Sequence, residues 1–397
     1  AVLPEPREIA APPARRGPRL LPVALLLLVV VAGYFGLRNR AGDGGEGRPE
    51  PIAAEQGGGT PPAGLPEPEP AEPATPAGTL AWEFRAGAAV TSSPLVAGDL
   101  VLFGSRDGKL YALDRKTGAR VWTASGPGGI GSSPAAGGGA IYFGEYGGAL
   151  VAVSDKDGRE IWRRPTAGRI VSSPFYHEGR LYVGSFDRHL YAIGAESGAV
   201  LWRRQTGGVI WASPVVSGDL VLFGSWDGSV YALRSADGGV VWRRETGDRV
   251  YSSPVVLGDE VYIGTQGGAL LRLDRATGSV VWTSRVGSPV HSRPTIAEDR
   301  VLFGSEDGNV HCAYRETGEI LWSFPTGARV PSTPRVDRAM VYVASYDEFL
   351  YALDLDLGHP AWRTHLGASV YSSPTSYADK LYVGTNQGRF LAVSLGG

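Results

Sequence analysis

The chain has 397 residues, with 38 basic and 40 acidic side chains and a formal net charge of −2. That balance, with no basic cluster larger than a pair beyond the first 40 residues, argues against a charge-driven nucleic-acid binder. One cysteine, Cys312, permits no intrachain disulfide and fits either redox compartment.

Residues 1–19 are rich in Pro and Arg and read as a short cytoplasmic tail. Residues 20–37 are almost uninterruptedly apolar. At a rise of ~1.5 Å per residue this run approaches the ~30 Å hydrocarbon core of a bilayer. Arg7, Arg15, Arg16 and Arg19 precede it, and Arg38 and Arg40 follow. The bias keeps the N-terminus in the cytoplasm, so the expectation is a single-pass inner-membrane anchor with the remainder on the periplasmic or extracellular side. A cleaved signal peptide is the competing reading; the length of the run and the lack of a clean Ala-x-Ala site favour the anchor. Residues 38–78 are Gly, Pro, Ala and Glu with few apolar side chains, a linker composition with a coil span of ~35 Å. The chain opens on Ala1 rather than Met, so either processing or a preceding segment is expected.

From residue 79 to 397 the chain repeats. Trp82, Trp122, Trp162, Trp202, Trp242, Trp282, Trp322 and Trp362 recur every 40 residues. Each is followed 12 residues later by a proline, from Pro94 to Pro374, usually after two small hydroxyl residues as in Ser92-Ser93-Pro94. An alternating apolar run comes next, such as Val101-Leu102-Phe103-Gly104, and then a turn such as Arg106-Asp107-Gly108. A second run, Leu110 to Asp114, leads through the Thr117-Gly118 turn to the next Trp. Asp-Gly between apolar runs marks a hairpin, and no stretch carries a helical period. Four short antiparallel strands per unit, radially repeated, predict an all-β, eight-bladed β-propeller. The last unit stops before its own Trp, so the N-terminal strand around Trp82 should complete the final blade and leave no open edge. The recurrent Trp residues are expected to be structural, packed between blades. Cys312 fills a slot held elsewhere by Ala112, Ala192, Ala232 and Ala352, and reads as a small buried hydrophobe.

The run from Ala112 to Trp122, with Asp114, Thr117 and Gly118, resembles the tryptophan-docking motif of pyrroloquinoline-quinone-like (PQQ-like) propellers; Arg272 to Trp282 is similar. The resemblance covers residues 79–397. It implies one of three roles. Quinoprotein dehydrogenases hold the quinone above the central channel with a calcium ion. BamB-like members bind no quinone and act as interaction scaffolds. Others form the extracellular sensor half of serine/threonine receptor kinases. The chain departs from the dehydrogenases: it has one cysteine, where many of them carry an adjacent pair, and its repeats hold no insertions that would build a substrate pocket. It departs from BamB in lacking a lipobox cysteine near the N-terminus.

The variable positions are therefore where binding is sought. One set lies three residues before each Pro: Thr91, Gly131, Val171, Trp211, Tyr251, His291, Pro331 and Tyr371. The other is the hairpin tip: Arg106, Tyr146, Phe186, Trp226, Gln266, Glu306, Tyr346 and Asn386. Both should ring one face, and both are rich in aromatics. Tyr146, Phe186, Trp226, Tyr346, Trp211, Tyr251, His291 and Tyr371 are the expected partner-binding face. His291 and His311, with Glu306 and Asp307, are expected to flank one blade entrance, but their spacing supports no metal set. No catalytic triad or phosphate-cradling loop is present. The sequence thus predicts a membrane-anchored, non-enzymatic propeller binding a protein or peptide, without cofactor or metal. The alternatives are a quinone- and calcium-dependent dehydrogenase, with Trp211 or Trp226 flooring the quinone and Asp307 as base, and a kinase sensor domain.

Overall fold

The computed structural model describes residues 75–396. The expected tail (1–19), membrane segment (20–37) and most of the linker (38–78) lie outside the described residues. Among the described residues, no helix is long and apolar enough to cross a membrane.

The described chain forms eight four-stranded antiparallel sheets. Blade I covers residues 95–125, and blades II to VII follow at intervals of 40 to residue 365. Blade VIII takes three strands from residues 375–394 and its outer strand, Leu80–Arg85, from the other end of the domain. That strand pairs with Arg389–Ser394, joining Trp82 to Ala392 and Phe84 to Phe390. The ring is closed as expected.

The Ser-Ser-Pro landmark has two jobs. Ser92 is buried and its Oγ both accepts from the Gly104 amide at 2.8 Å and donates to the Gly104 carbonyl, tying the inner loop to its own blade. Ser93 faces the axis and its amide donates to Ser133 Oγ of the next blade at 2.9 Å. Close to the axis, Ile130 packs on Gly104 and, at the ring's seam, Val90 on Gly384, in space that a Cβ would fill.

At the periphery each indole docks on the following blade. Trp242 lies against Gly278, where an added Cβ would meet ring atoms at 2.5 Å. Its Nε1 donates to the Arg275 carbonyl at 2.8 Å. The pattern, indole to a glycine 36 residues on and Nε1 to a carbonyl 33 residues on, repeats for Trp82, Trp162, Trp202, Trp282 and Trp322. Trp362 closes the circle on Gly78, so packing of the propeller begins inside the segment assigned to the linker. The indoles are less enclosed than the repeat implied. Trp122 and Trp242 are 8% exposed, while the other six are half-buried, because they sit on the outermost strand with one edge facing water.

Cys312 is fully buried beside Val310 and Leu302, and burial pushes its thiol up to about 12. It is the inert small hydrophobe expected of its slot.

Two substitutions test the docking. Trp242→Ala should cost ~3–5 kcal/mol of unfolding free energy. Gly278→Ala, at φ +68°, should cost at least ~1–2 kcal/mol from the backbone alone, plus the clash with the indole. Because that clash disappears with the ring, urea denaturation of the double variant should fall well short of the sum. Simple additivity would refute the docking account.

Candidate functional site

In five of the eight blades the hairpin between the second and third strands carries an aspartate that fixes it, and blades II, V and VIII have Gly147, Gly267 and Gln387 there. Asp227 Oδ1 accepts from the Ser229 amide, and Oδ2 accepts from Tyr231 Oη at 2.6 Å and from the Gly207 amide at 2.8 Å. Asp107 with Tyr111 and Gly87, and Asp347 with Tyr351 and Gly327, repeat the clamp. Asp187 does the same with Tyr191 and the Ala167 amide. The clamp fastens the hairpin to the loop entering its blade. Hairpin tips and entry loops therefore share one face, as the sequence predicted.

On that face several aromatic residues meet across blade boundaries, while Trp211 and Trp226 meet within blade IV and Tyr146 folds back on blade II. Phe186 of blade III lies 5.5 Å from Trp211, at the entry to blade IV. Trp211 and Trp226 are nearly parallel at 5.9 Å. Trp226 meets Tyr251 at 4.5 Å, and Tyr251 meets His291 at 4.7 Å. Tyr346 and Tyr371 extend the group. With Trp211, Tyr251, His291, Glu306, Arg329 and Pro331 they line a recess of about 170 Å³. Tyr146 stands apart on blade II, where its hydroxyl end lies over Gly131, a position that has no side chain to obstruct it. Seven of these rings are half-buried and Tyr371 is exposed.

Sequence reasoning missed the arginines between the rings. Arg169 covers Phe186, Arg249 covers Trp226, Arg329 covers Tyr346 at 4.0 Å, and Arg106 covers Tyr146. Such guanidinium–ring pairs hold both partners in place. No landmark marks the position of Arg169, Arg249 and Arg329, which Ala89 and Gly129 hold in other repeats, so periodicity alone gave no signal.

The two histidines are not one site. His291 Nδ1 lies 3.2 Å from Glu306 and its Nε2 lies 2.7 Å from Gln266 Oε1. Arg329 also reaches Glu306. Burial lowers the His291 pKa, against the pull of Glu306. His311 instead occupies the clamp position held by tyrosine in four other blades. It contacts Asp307 at 3.2 Å and Ser323 Oγ at 2.7 Å, with Phe303 stacked on it. Solvent reaches Tyr371, yet it lies on the inner wall of the mouth, and the loss of bulk water there, reinforced by Tyr346, Tyr146 and Glu306, pushes its phenol up to about 12. Below the mouth, a channel of about 340 Å³ runs along the axis between two rings of side chains, one of them containing Ser93, Ser133 and their equivalents.

The family profile described as "Outer membrane protein assembly factor BamB" matches residues 74–169, 106–266, 166–293, 227–311 and 268–397. The chain belongs to this family of PQQ-like repeat propellers. Among solved structures it is similar to BamB from Moraxella catarrhalis, with 22% identity and a TM-score of 0.70 over 80% of this chain and 97% of that one. It is also similar to the computationally designed Ika8 protein (16% identity, TM-score 0.71, 78% of this chain and 97% of that one). A europium-containing methanol dehydrogenase aligns at 14% identity and TM-score 0.70, over 80% and 93%. At these identities the structures share the fold. No curated protein matches the sequence.

The clamp substitution predicts a pH effect. The pKa values of His291 and His311 are both lowered, chiefly by burial, from the ordinary value near 6.5. Below that pH the unfolded imidazoles take up protons before the folded ones, so stability is lost as pH falls from 7 towards 5. His311→Tyr restores the clamp of four other blades and should remove part of this loss. Chemical denaturation at pH 7 and pH 5 measures it; equal losses in variant and parent would count against the assignment.

Proposed function

We propose that this propeller is a membrane-anchored, non-enzymatic binding module that docks a protein or peptide on its hairpin-tip face. The observation that carries the reading is the continuous arc of Phe186, Trp211, Trp226, Tyr251, His291, Tyr346 and Tyr371, interleaved with Arg169, Arg249 and Arg329. Trp, Tyr and Arg are the residue types that carry most binding energy at protein interfaces. Here the rings other than Tyr371 are half-buried and packed on one another, and the exposed arginines lie over three of them, so part of the side-chain freedom is already lost before association. Tyr146 with Arg106 extends the surface across the mouth. The membership in the BamB family supports a scaffold role. The apolar segment 20–37 and linker 38–78 support a tethered propeller on the periplasmic or extracellular side; such a domain serves equally as a stand-alone scaffold or as the sensor half of a receptor kinase.

The similarity to a methanol dehydrogenase keeps a quinone-dependent enzyme as the second reading. The proposal expects that adding pyrroloquinoline quinone and calcium leaves the spectrum a simple sum of the components. A new absorption band with dye-linked alcohol oxidation would favour the enzyme.

The docking face is tested in membranes with the full chain carrying a photo-cross-linking residue at Gln266, on the tip face, or at Val241, on the outer strand. A discrete adduct is expected from Gln266 alone. Trp226→Ala and Tyr346→Ala should each weaken its formation, by roughly 1–4 kcal/mol. Equal adducts from both positions, or adducts indifferent to these substitutions, would reject the face.

A further inference from the structure

Around the axial channel the second hydroxyl of each Ser-Ser-Pro landmark forms a belt. The amides of Ser93, Ser133, Ser173 and Ser213 each donate to the hydroxyl of the next blade at 2.9 Å. Thr333 donates to Ser373, and Ser373 to Ser93, across the seam of the ring. Six links out of eight possible are made. The two missing ones flank Arg293, which stands where the seven other blades carry Ser or Thr. Ser253 finds no hydroxyl ahead of it, and Arg293 makes no link to Thr333. Arg293 also has no ion-pair or side-chain hydrogen-bond partner among the described residues. It lines both the channel and the recess beyond it that opens between blades V and VIII.

The gap is rich in donors and poor in acceptors. It holds a guanidinium, the Ser253 and Arg293 amides freed from the belt, and the Thr333 hydroxyl. Solvent reaches Arg293 through the channel, but the surrounding protein lowers its pKa from the usual guanidinium value. It stays a cation all the same, since arginine is not deprotonated in proteins. With water reaching it through the channel and no acid beside it among the described residues, the guanidinium is free to pair with an anion that enters.

We infer that the belt gap at Arg293 is a binding site for a carboxylate. One guanidinium matches one negative charge and offers the planar fork that grips both carboxylate oxygens. The belt hydroxyls offer further donors. Above the belt, Val171, Pro331 and Trp211 line the channel and suit a short aliphatic chain. The carboxylate belongs either to a small free acid or to an acidic side chain reaching in from a docked peptide. The site does not depend on the tip face being a docking surface; either assignment can fail with the other intact.

The test uses the purified full chain, with sodium butyrate as the free acid and a hexaglutamate peptide blocked at both ends as the side-chain source. Binding is followed by ligand-observed NMR. Saturable butyrate binding assigns the free acid; binding of the peptide alone assigns the side chain. In either case Arg293→Ser should weaken binding by about tenfold or more, the loss expected for a charged hydrogen-bonding partner. Arg293→Lys should retain part of it. Arg293→Ser restores the residue of six other blades and should fold with unchanged or raised Tm, so a loss of binding is not a loss of structure. The double variant Trp226→Ala, Tyr346→Ala should leave butyrate binding in place. The inference is overturned if neither probe binds the parent, or if Arg293→Ser binds as tightly as the parent.

Discussion

The docking of each indole onto a glycine of the next blade is the constraint on which the rest depends. It joins residues 36 positions apart at seven boundaries and Trp362 to Gly78 at the seam, eight dockings around a closed circle, and six of the indoles add the Nε1 bond at 33. A residue inserted between a Trp and its glycine would shift the turn from under the ring. The uniform period of 40 follows from this geometry. Closure adds a second condition: the first and last segments of the domain must meet. Trp362 on Gly78, Val90 on Gly384 and Ser373 on Ser93 show the meeting made at the rim, near the axis and in the belt. A blade alone would leave its apolar face in water, so stability resides in the contacts between blades.

A frame so regular leaves side-chain identity as its main freedom. Eight near-identical positions surround the axis at every level, and function has to come from breaking that symmetry. The breaks are not scattered evenly. Aromatics and arginines collect on the tip face from blade III to the entry of blade VIII, while blade I offers Thr91 and Arg106 there. The outer strands, by contrast, repeat one theme of an aliphatic residue before each Trp, as at Val121, Leu201 and Val281. A partner that reads one side of the mouth would meet a surface unlike the other side.

The fold was legible because its signals are periodic. Trp, Pro, Asp-Gly and Thr-Gly recur in register, and eight copies average out local ambiguity. The tip face was legible for the same reason: once the hairpin was placed, its tip followed. What escaped was aperiodic or depended on contacts between neighbours. Arg169, Arg249 and Arg329 occupy a slot without a landmark, and only the packed structure brings them over the rings. His291 and His311 read as a pair, yet His311 replaces a clamp tyrosine inside its blade while His291 faces the mouth. The aspartate of the hairpin looked like turn chemistry alone; its bond to the incoming loop is a contact that spacing does not reveal.

A comparison of two broken positions separates structural from functional asymmetry. At Glu145 the chain puts a carboxylate where other blades have Ser or Thr, and it is fully buried. Its neighbours answer the change. Gly126 stands where four other repeats have Thr, and a side chain there would collide with the Glu145 carboxylate. Arg163 pairs with its Oε2 while Oε1 is left without a partner, and burial raises the Glu145 pKa, which favours the uncharged acid. Most of the substitution is absorbed by changes within the fold, with Oε1 its one unpaired atom. At Arg293 nothing answers: no acid approaches, two belt links are lost, and the neighbouring repeats keep their usual residues. Local rules broken without compensation are expected where a protein meets something outside itself. By that reasoning the asymmetry at Glu145 belongs to packing, and the asymmetry at Arg293 points to a ligand that the frame was altered to receive.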